Sequence, residues 1–328
     1  MSPRISIIVP CYNERGTIVG LLDAIRRQSC GVGQLEVIVA DGLSTDGTPE
    51  AVTAYAGQNP ELSLTVVENP DRNIPAALNR AVRAGRGEVI IRLDAHSVPA
   101  EDYVERCLEA LQRPGVANVG GQWEIRAASN GWMARAIAVA AGHRLGAGDA
   151  RYRVSGQAGP VDTVPFGAFR RAWLERVGGY DERLLTNEDY ELNLRLRQAG
   201  GIIWFDPAIR SVYYARGDLA ALVRQYARYG YWKARMLLRH PGSLRWRQAL
   251  PPLFVLASLV LAGLALVWPP AGWLLGVQWA SYALATLAFG LMEAARRKDA
   301  GLIPGFPLAI WTMHLSWGTA FWIGLLGA

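Results

Sequence analysis

Residues Glu88-Val89-Ile90-Ile91-Arg92-Leu93-Asp94-Ala95-His96 form an apolar run that ends at an acid and an imidazole. A strand buried on both faces, as in a parallel sheet, tolerates a carboxylate only at its open carboxyl end, where the ligand crevice of such sheets lies. Asp94 is therefore expected to face a crevice. His96, two positions on, projects from the same side if the chain stays extended. One carboxylate and one imidazole so placed suit a divalent cation, Mg²⁺ or Mn²⁺, shared with a diphosphate.

Outward from this run, short β-type segments alternate with amphipathic helical ones. Strands are expected over 5–9, 35–40, 64–67 and 89–93, and helices over 17–28, from Thr48, over 76–84 and over 101–112. That alternation predicts an α/β fold, a mostly parallel sheet with helices on both faces, filling residues 1–215. Beyond 116–123 the alternation weakens, which predicts a second half of loops, a few strands and a helix over 188–199. Three strand ends then converge: Pro10-Cys11-Tyr12-Asn13-Glu14, Asp41, and Asp94-Ala95-His96. No cap explains Asp41, so it is expected to accept hydrogen bonds from a base or ribose. Asp46-Gly47-Thr48-Pro49-Glu50 reads either as a turn with Thr48 as N-cap or as a ligand contact. Thr186-Asn187-Glu188-Asp189 likewise reads either as a capping box or as a carboxylate kept ionised by a helix N-terminus and able to act as a base.

The 328 residues carry a net charge of +6 and are 51% hydrophobic, too apolar for an ordinary soluble enzyme. The excess is localised: no charged residue lies between Arg247 and Glu293, and none follows Asp299. A bilayer core needs roughly 20 apolar residues per helix, so three spans are expected, at 250–267, 273–292 and 302–326, with Trp268-Pro269-Pro270-Ala271-Gly272 as the turn between the first two. Arg296, Arg297 and Lys298 place the second loop in the cytoplasm, and the large amino-terminal part with it. The run Ile5–Val9 is too short for a signal peptide core. Cys11, Cys30 and Cys107 show neither metal spacing nor pairing logic, which suits a reducing compartment. Residues 216–249 hold eight Lys or Arg against the single acid Asp218, interleaved with Tyr226, Tyr229, Tyr231, Trp232, Met236 and Leu237. This predicts a helix from about 218 to 239 lying in the interface of an anionic leaflet, with 250–328 as the membrane domain. Nucleic-acid binding is set aside, because adjacency to the spans already accounts for the charge.

Taken together, Ser6-Ile7-Ile8-Val9-Pro10-Cys11-Tyr12-Asn13-Glu14, Asp41-Gly42 with Ser44 and Asp46-Gly47-Thr48, Asp94-Ala95-His96, and Glu188-Asp189 resemble the family 2 inverting glycosyltransferases of GT-A fold, over about residues 4–210. The resemblance implies a nucleotide-sugar donor bound through Pro10, Tyr12, Glu14, Asp41, Arg72, Asp94, Glu188 and Arg228. It also implies a divalent metal, Mg or Mn, on Asp94 and His96, and Asp189 as the base that deprotonates the acceptor. His96 stands where the usual motif has a second Asp. That form, with Asn69-Pro70-Asp71-Arg72-Asn73-Ile74-Pro75-Ala76-Ala77-Leu78-Asn79 before it and three spans after it, resembles the succinoglycan biosynthesis branch. Membership there implies hexose transfer, typically from UDP-glucose, to a polyprenyl-diphosphate-linked saccharide at the bacterial inner membrane for exopolysaccharide assembly. Gln225-Tyr226-Ala227-Arg228-Tyr229 is similar to the Gln-x-x-Arg-Trp motif of processive synthases, with Tyr229 in place of Trp. A polyprenyl-phosphate monosaccharide synthase and a catalytically silent nucleotide-sugar-binding scaffold are the alternative readings.

Overall fold

A computed structural model describes residues 5–327. Its chain order is β1 (Ile5–Cys11), α1 (Ile18–Arg26), β2 (Leu35–Asp41), α2 (Thr48–Gln58), β3 (Ser63–Glu68), α3 (Ile74–Ala84), β4 (Val89–Arg92), β5 (Val98–Pro99), α4 (Tyr103–Leu111), β6 (Val116–Arg126), α5 (Trp132–Gly142), α6 (Arg144–Ala147), α7 (Arg151–Val154), β7 (Gly159–Pro160), β8 (Ala168–Arg170), α8 (Arg171–Val177), α9 (Glu188–Gln198), β9 (Ile202–Tyr214), α10 (Leu219–Arg239), α11 (Trp246–Leu264), α12 (Pro270–Arg297) and α13 (Leu302–Leu326). The chain divides into two compact units. The first runs to Glu124 and resumes over Ala150–Tyr213; the second comprises Ile125–Asp149 and Tyr214 onward. The linear division expected at 215 therefore differs from the folded one, in which 125–149 joins the carboxyl-terminal helices.

In the first unit the strands follow the order β3-β2-β1-β4-β8-β6-β9-β5, with β7 beside β9. Among the described residues β1 pairs in parallel with β2 and β4, and β2 with β3, whereas β8 runs antiparallel to β4 and β6, and β5 and β7 antiparallel to β9. The sheet is thus mixed rather than mostly parallel. An antiparallel neighbour needs no crossover helix, so the strand-helix alternation that reveals β1 to β4 leaves no trace of β8. Along β1, Ile5, Ile7 and Val9 join the core cluster that holds Leu21, Leu22, Ile25 and Val104 of α1 and α4, while Ile8 joins Ala77, Leu78 and Ala81 of α3. Both faces are buried, which explains the continuous apolar runs. At the edge, β3 is largely exposed.

The second unit is helical. Its α11 and α12 are long and apolar enough to cross a membrane. The third expected span is a helix with the expected bounds, α13, but among the described residues only α11 and α12 are long and apolar enough to cross a membrane. The α13 residues Gly305, Phe306, Ala309, Ile310, Gly318 and Phe321 are buried within the unit. The basic segment forms α10, with Asp218 as N-cap accepting from the Ala221 N–H at 2.7 Å. Tyr226 and Met236, expected on an outward surface, are buried with Leu222, Gly230 and Ala234. Where the helices α10 and α13 cross, a Cβ on Gly230 would come within 2.2 Å of the Trp317 carbonyl oxygen. Buried Lys233 donates to the Ser243 carbonyl at 2.9 Å.

Candidate active site

The loops that leave the carboxyl ends of the parallel strands are laced together by short polar side chains. After β1, the Asn13 N–H donates to Ser44 Oγ (2.8 Å) and Asn13 Oδ1 accepts from the Thr45 N–H (2.9 Å). The Glu14 N–H donates to Thr48 Oγ1 (2.9 Å), and the Thr48 hydroxyl donates to Asp46 Oδ1 (2.6 Å). Asn13, Leu43, Arg72 and Asn187 all take positive φ, between 50° and 66°. Non-glycine residues seldom do so, and such strain persists where surrounding bonds over-determine the backbone.

Asp46 serves the turn: it accepts from the Arg15 and Thr48 N–H groups, and the Thr48 hydroxyl bond, the largest contributor, holds its carboxyl below its ordinary range. Thr48 is the first residue of α2 rather than its cap, which is Gly47. Asp41 is 4% exposed and caps no helix, but it has a local partner in Ser44. Its Oδ2 accepts from the Ser44 N–H at 2.9 Å and its Oδ1 from the Ser44 hydroxyl at 2.6 Å. Pro10 pairs with Ala40 in the sheet, and half-exposed Tyr12 lies against Gly42, where a Cβ would meet its ring at 3.2 Å. Arg72 is exposed on the loop after β3, which is tied to β2 through the Asn69 N–H and the Asp41 carbonyl at 2.7 Å.

Across from these loops, Glu14 Oε1 meets His96 Nδ1 at 2.9 Å. Burial raises the Glu14 carboxyl, but the bonds from His96 and Thr17 outweigh it and leave the group below its ordinary range. An ionised carboxylate there accepts a hydrogen bond from the imidazole Nδ1–H and orients the ring. Among the described residues no three His, Cys, Asp or Glu side chains gather as a metal cage. The Asp94 side chain is 25% exposed and that of His96 45% exposed, so both remain open to a ligand entering from solvent.

Beneath Asp94 lies a residue the sequence reading passed over. Arg92, 5% exposed, donates from Nε to Asp94 Oδ1 at 3.1 Å and from Nη1 to Glu188 Oε1 at 2.9 Å. The one signal for it was a cation inside an otherwise apolar run. Glu188 opens α9; the cap is Asn187, which makes no side-chain capping bond, rather than Thr186, so the capping box is not formed. Asp189 accepts the Tyr190 N–H at 2.8 Å. Burial first, then the like charge of Glu188, pushes the Asp189 carboxyl up to about 7 against the opposing pull of Arg92. Nearby, the buried Tyr180 hydroxyl finds no hydrogen-bond partner among the described residues. The first unit thus joins Glu14 to His96, and Asp94 to Glu188 and so to Asp189 as its chain neighbour. Arg228 is exposed on α10 of the second unit.

A model of the family described as glycosyl transferase family 2 matches residues 6–178. Over 323 residues the chain is 33% identical to the succinoglycan biosynthesis protein ExoA of Rhizobium meliloti (strain 1021), covering 98% of this chain and 94% of that protein. It is 27% identical over 266 residues to a dolichyl N-acetyl-α-D-glucosaminyl phosphate 3-β-D-2,3-diacetamido-2,3-dideoxy-β-D-glucuronosyltransferase of Methanococcus voltae, covering 79% and 82% of the two. In fold it resembles the mannosyltransferase PcManGT from Pyrobaculum calidifontis, solved with GDP-Man and Mn²⁺, with a TM-score of 0.64 at 24% identity over 99% of this chain and 88% of that one. It also resembles S. aureus TarS in complex with UDP, with a TM-score of 0.53 at 16% identity over 99% and 92%.

Proposed function

Because this chain belongs to glycosyl transferase family 2 and is a nucleotide-sugar-dependent glycosyltransferase, we propose that it transfers a hexose, from UDP-glucose, to a hydroxyl of a polyprenyl-diphosphate-linked saccharide with inversion. The observation that carries this reading is Asp189: a carboxylate poised near neutrality, next to the glutamate that Arg92 ties to Asp94. A base works best with a pKa near the working pH. Asp189 takes the proton of the acceptor hydroxyl while the oxygen of that hydroxyl forms a bond to C1 of the donor sugar. The bond from C1 to the diphosphate breaks on the opposite face, and the electron pair leaves with the diphosphate. Asp94 and His96 would hold a divalent cation, Mg²⁺ or Mn²⁺, whose charge offsets that of the leaving group. Tyr12, Glu14, Asp41 and Arg72 line the nucleotide end.

A lipid-linked acceptor is supported by the name of the Methanococcus relative, which places its acceptor on dolichol, and an exopolysaccharide product by that of the Rhizobium relative. Helices α11 and α12, with α13 as a third span, would anchor the enzyme in the bacterial inner membrane. Arg296, Arg297 and Lys298 then keep the catalytic unit cytoplasmic. The partners are the donor, the lipid-linked acceptor and the membrane, with no nucleic acid. To test this, membranes bearing the protein are given radiolabelled UDP-glucose and polyprenyl-diphosphate-linked saccharide, and the organic extract is treated with mild acid. A released saccharide one hexose longer supports the proposal. Release of the single sugar would instead make the enzyme a polyprenyl-phosphate monosaccharide synthase. Failure to release nucleotide with any donor and acceptor would leave only a binding scaffold.

A further inference from the structure

Arg92 has no part in the chemistry just described, yet its surroundings are among the most constrained in the molecule. It ends β4, where its backbone pairs with Ile8 of β1 and its N–H donates to the Gly167 carbonyl at 2.9 Å. A dehydrated guanidinium is costly unless its N–H groups are paired. Here they are paired to two carboxylates that lie 94 positions apart in the chain. One lies two residues beyond the end of β4 and is a proposed metal donor, and the other is the first residue of the helix that carries Asp189. By holding one oxygen of Asp94, Arg92 sets the plane of that carboxylate. By holding Glu188, whose side chain is 8% exposed, it sets the first turn of α9 and the position of the next residue.

We propose that Arg92 is a positioning residue for sugar transfer, a buried link that keeps Asp94 and the Glu188-Asp189 turn in one register. Departure of the diphosphate and deprotonation of the acceptor hydroxyl are thereby aligned. The inference rests on the roles given above to Asp94 and Asp189. An ordinary buried ion pair would stabilise the fold without touching the balance between turnover and binding; a register link would not.

The test is a double-variant cycle in the full chain. Arg92→Lys keeps the charge but loses the planar fork, and Glu188→Gln keeps the size but loses the ion pair. Each is assayed for kcat, donor KM, melting temperature, and affinity for Mn²⁺ with UDP by calorimetry. Each single change is expected to lower kcat about thirtyfold with donor KM within about threefold, and the double variant to be no worse than the worse single, since both break one link. Arg92→Lys should also weaken Mn²⁺ affinity in the presence of UDP by about tenfold, through the freed Asp94 carboxylate. Losses in kcat that multiply, or a lowered melting temperature with unchanged kcat and Mn²⁺ affinity, would overturn the proposal. Arg92→Met would leave two buried carboxylates unpaired and risks unfolding, so the Lys and Gln variants carry the decision. Asp189→Asn, assayed alongside, separates the two readings. If it keeps full turnover, the base assignment falls, and Arg92 loses its stated purpose. If it is inactive while the cycle multiplies, only the role of Arg92 falls.

Discussion

At the scale of single residues, three carboxylates, Asp94, Glu188 and Asp189, surround the one guanidinium of Arg92, and the imbalance falls on Asp189. With its carboxyl at about 7, the ionised base becomes scarcer as pH falls. kcat/KM should therefore drop about tenfold per unit below that value and level off above it. Asp189→Asn should lower turnover by roughly 10²–10⁴ and abolish this limb of the pH profile. The sign for stability is opposite. A carboxyl raised from 3.8 to about 7 on folding binds its proton more tightly in the native state, so its stabilising contribution is present at low pH and lost as pH rises to about 7. At pH 8 the Asn variant should melt above the wild type, and a lower melting point with intact turnover would make Asp189 a helix-start residue only. At the metal, chelation should stop turnover, whereas His96→Asp should retain activity and shift preference from Mn²⁺ towards Mg²⁺, read as the ratio of rates with each ion. Full activity of the wild type in chelator would remove the metal role. The position of Asp94 was legible because a buried strand stops just before it, whereas the partners it and His96 find, Arg92 and Glu14, were not. The Asp41-Ser44 bond was not, because nothing in the spacing says which way a serine hydroxyl turns.

Among the elements, helix α10 shows how far local patterning reaches. Its bounds and its Asp218 cap follow from periodicity and capping chemistry, yet the side that is covered depends on α13. Close approach of these helices requires Gly230, and also Gly324, whose added Cβ would sit 2.5 Å from the Tyr231 carbonyl oxygen. Gly230→Ala should destabilise by about 1–3 kcal/mol through forced separation of the helices. By contrast, Gly20 of α1 is exposed with nothing within 4 Å of an added Cβ, and Gly20→Ala should stabilise by about 0.5–1 kcal/mol through helix propensity. Thermal or chemical unfolding of the two variants measures both, and equal effects would mean that the α10-α13 crossing is loose. In the sheet, β8 is the element that spacing could not reveal, since three residues inserted antiparallel between β4 and β6 carry no period.

For the whole molecule, two helices apolar enough to span a bilayer and a helix with exposed Arg224, Arg228 and Arg239 predict an integral membrane protein with a basic cytoplasmic face. It should stay in the membrane pellet through an alkaline carbonate wash. Replacing Arg224 and Arg239 by Glu should reduce use of acceptor in anionic vesicles more than binding of UDP in solution. Release by carbonate would show that α11 and α12 do not cross the bilayer. What the sequence determined by itself is whatever depends on neighbours a few residues apart: the alternating strands and helices of the first half, the acids at strand ends, the charge-free windows and the family motifs. Tertiary structure alone decided the Arg92 link, the two-part composition of each unit, the mixed sheet and the burial of α13. Each of these arises where residues distant in the chain meet, and a buried charge is stable only beside the partner that such a meeting supplies.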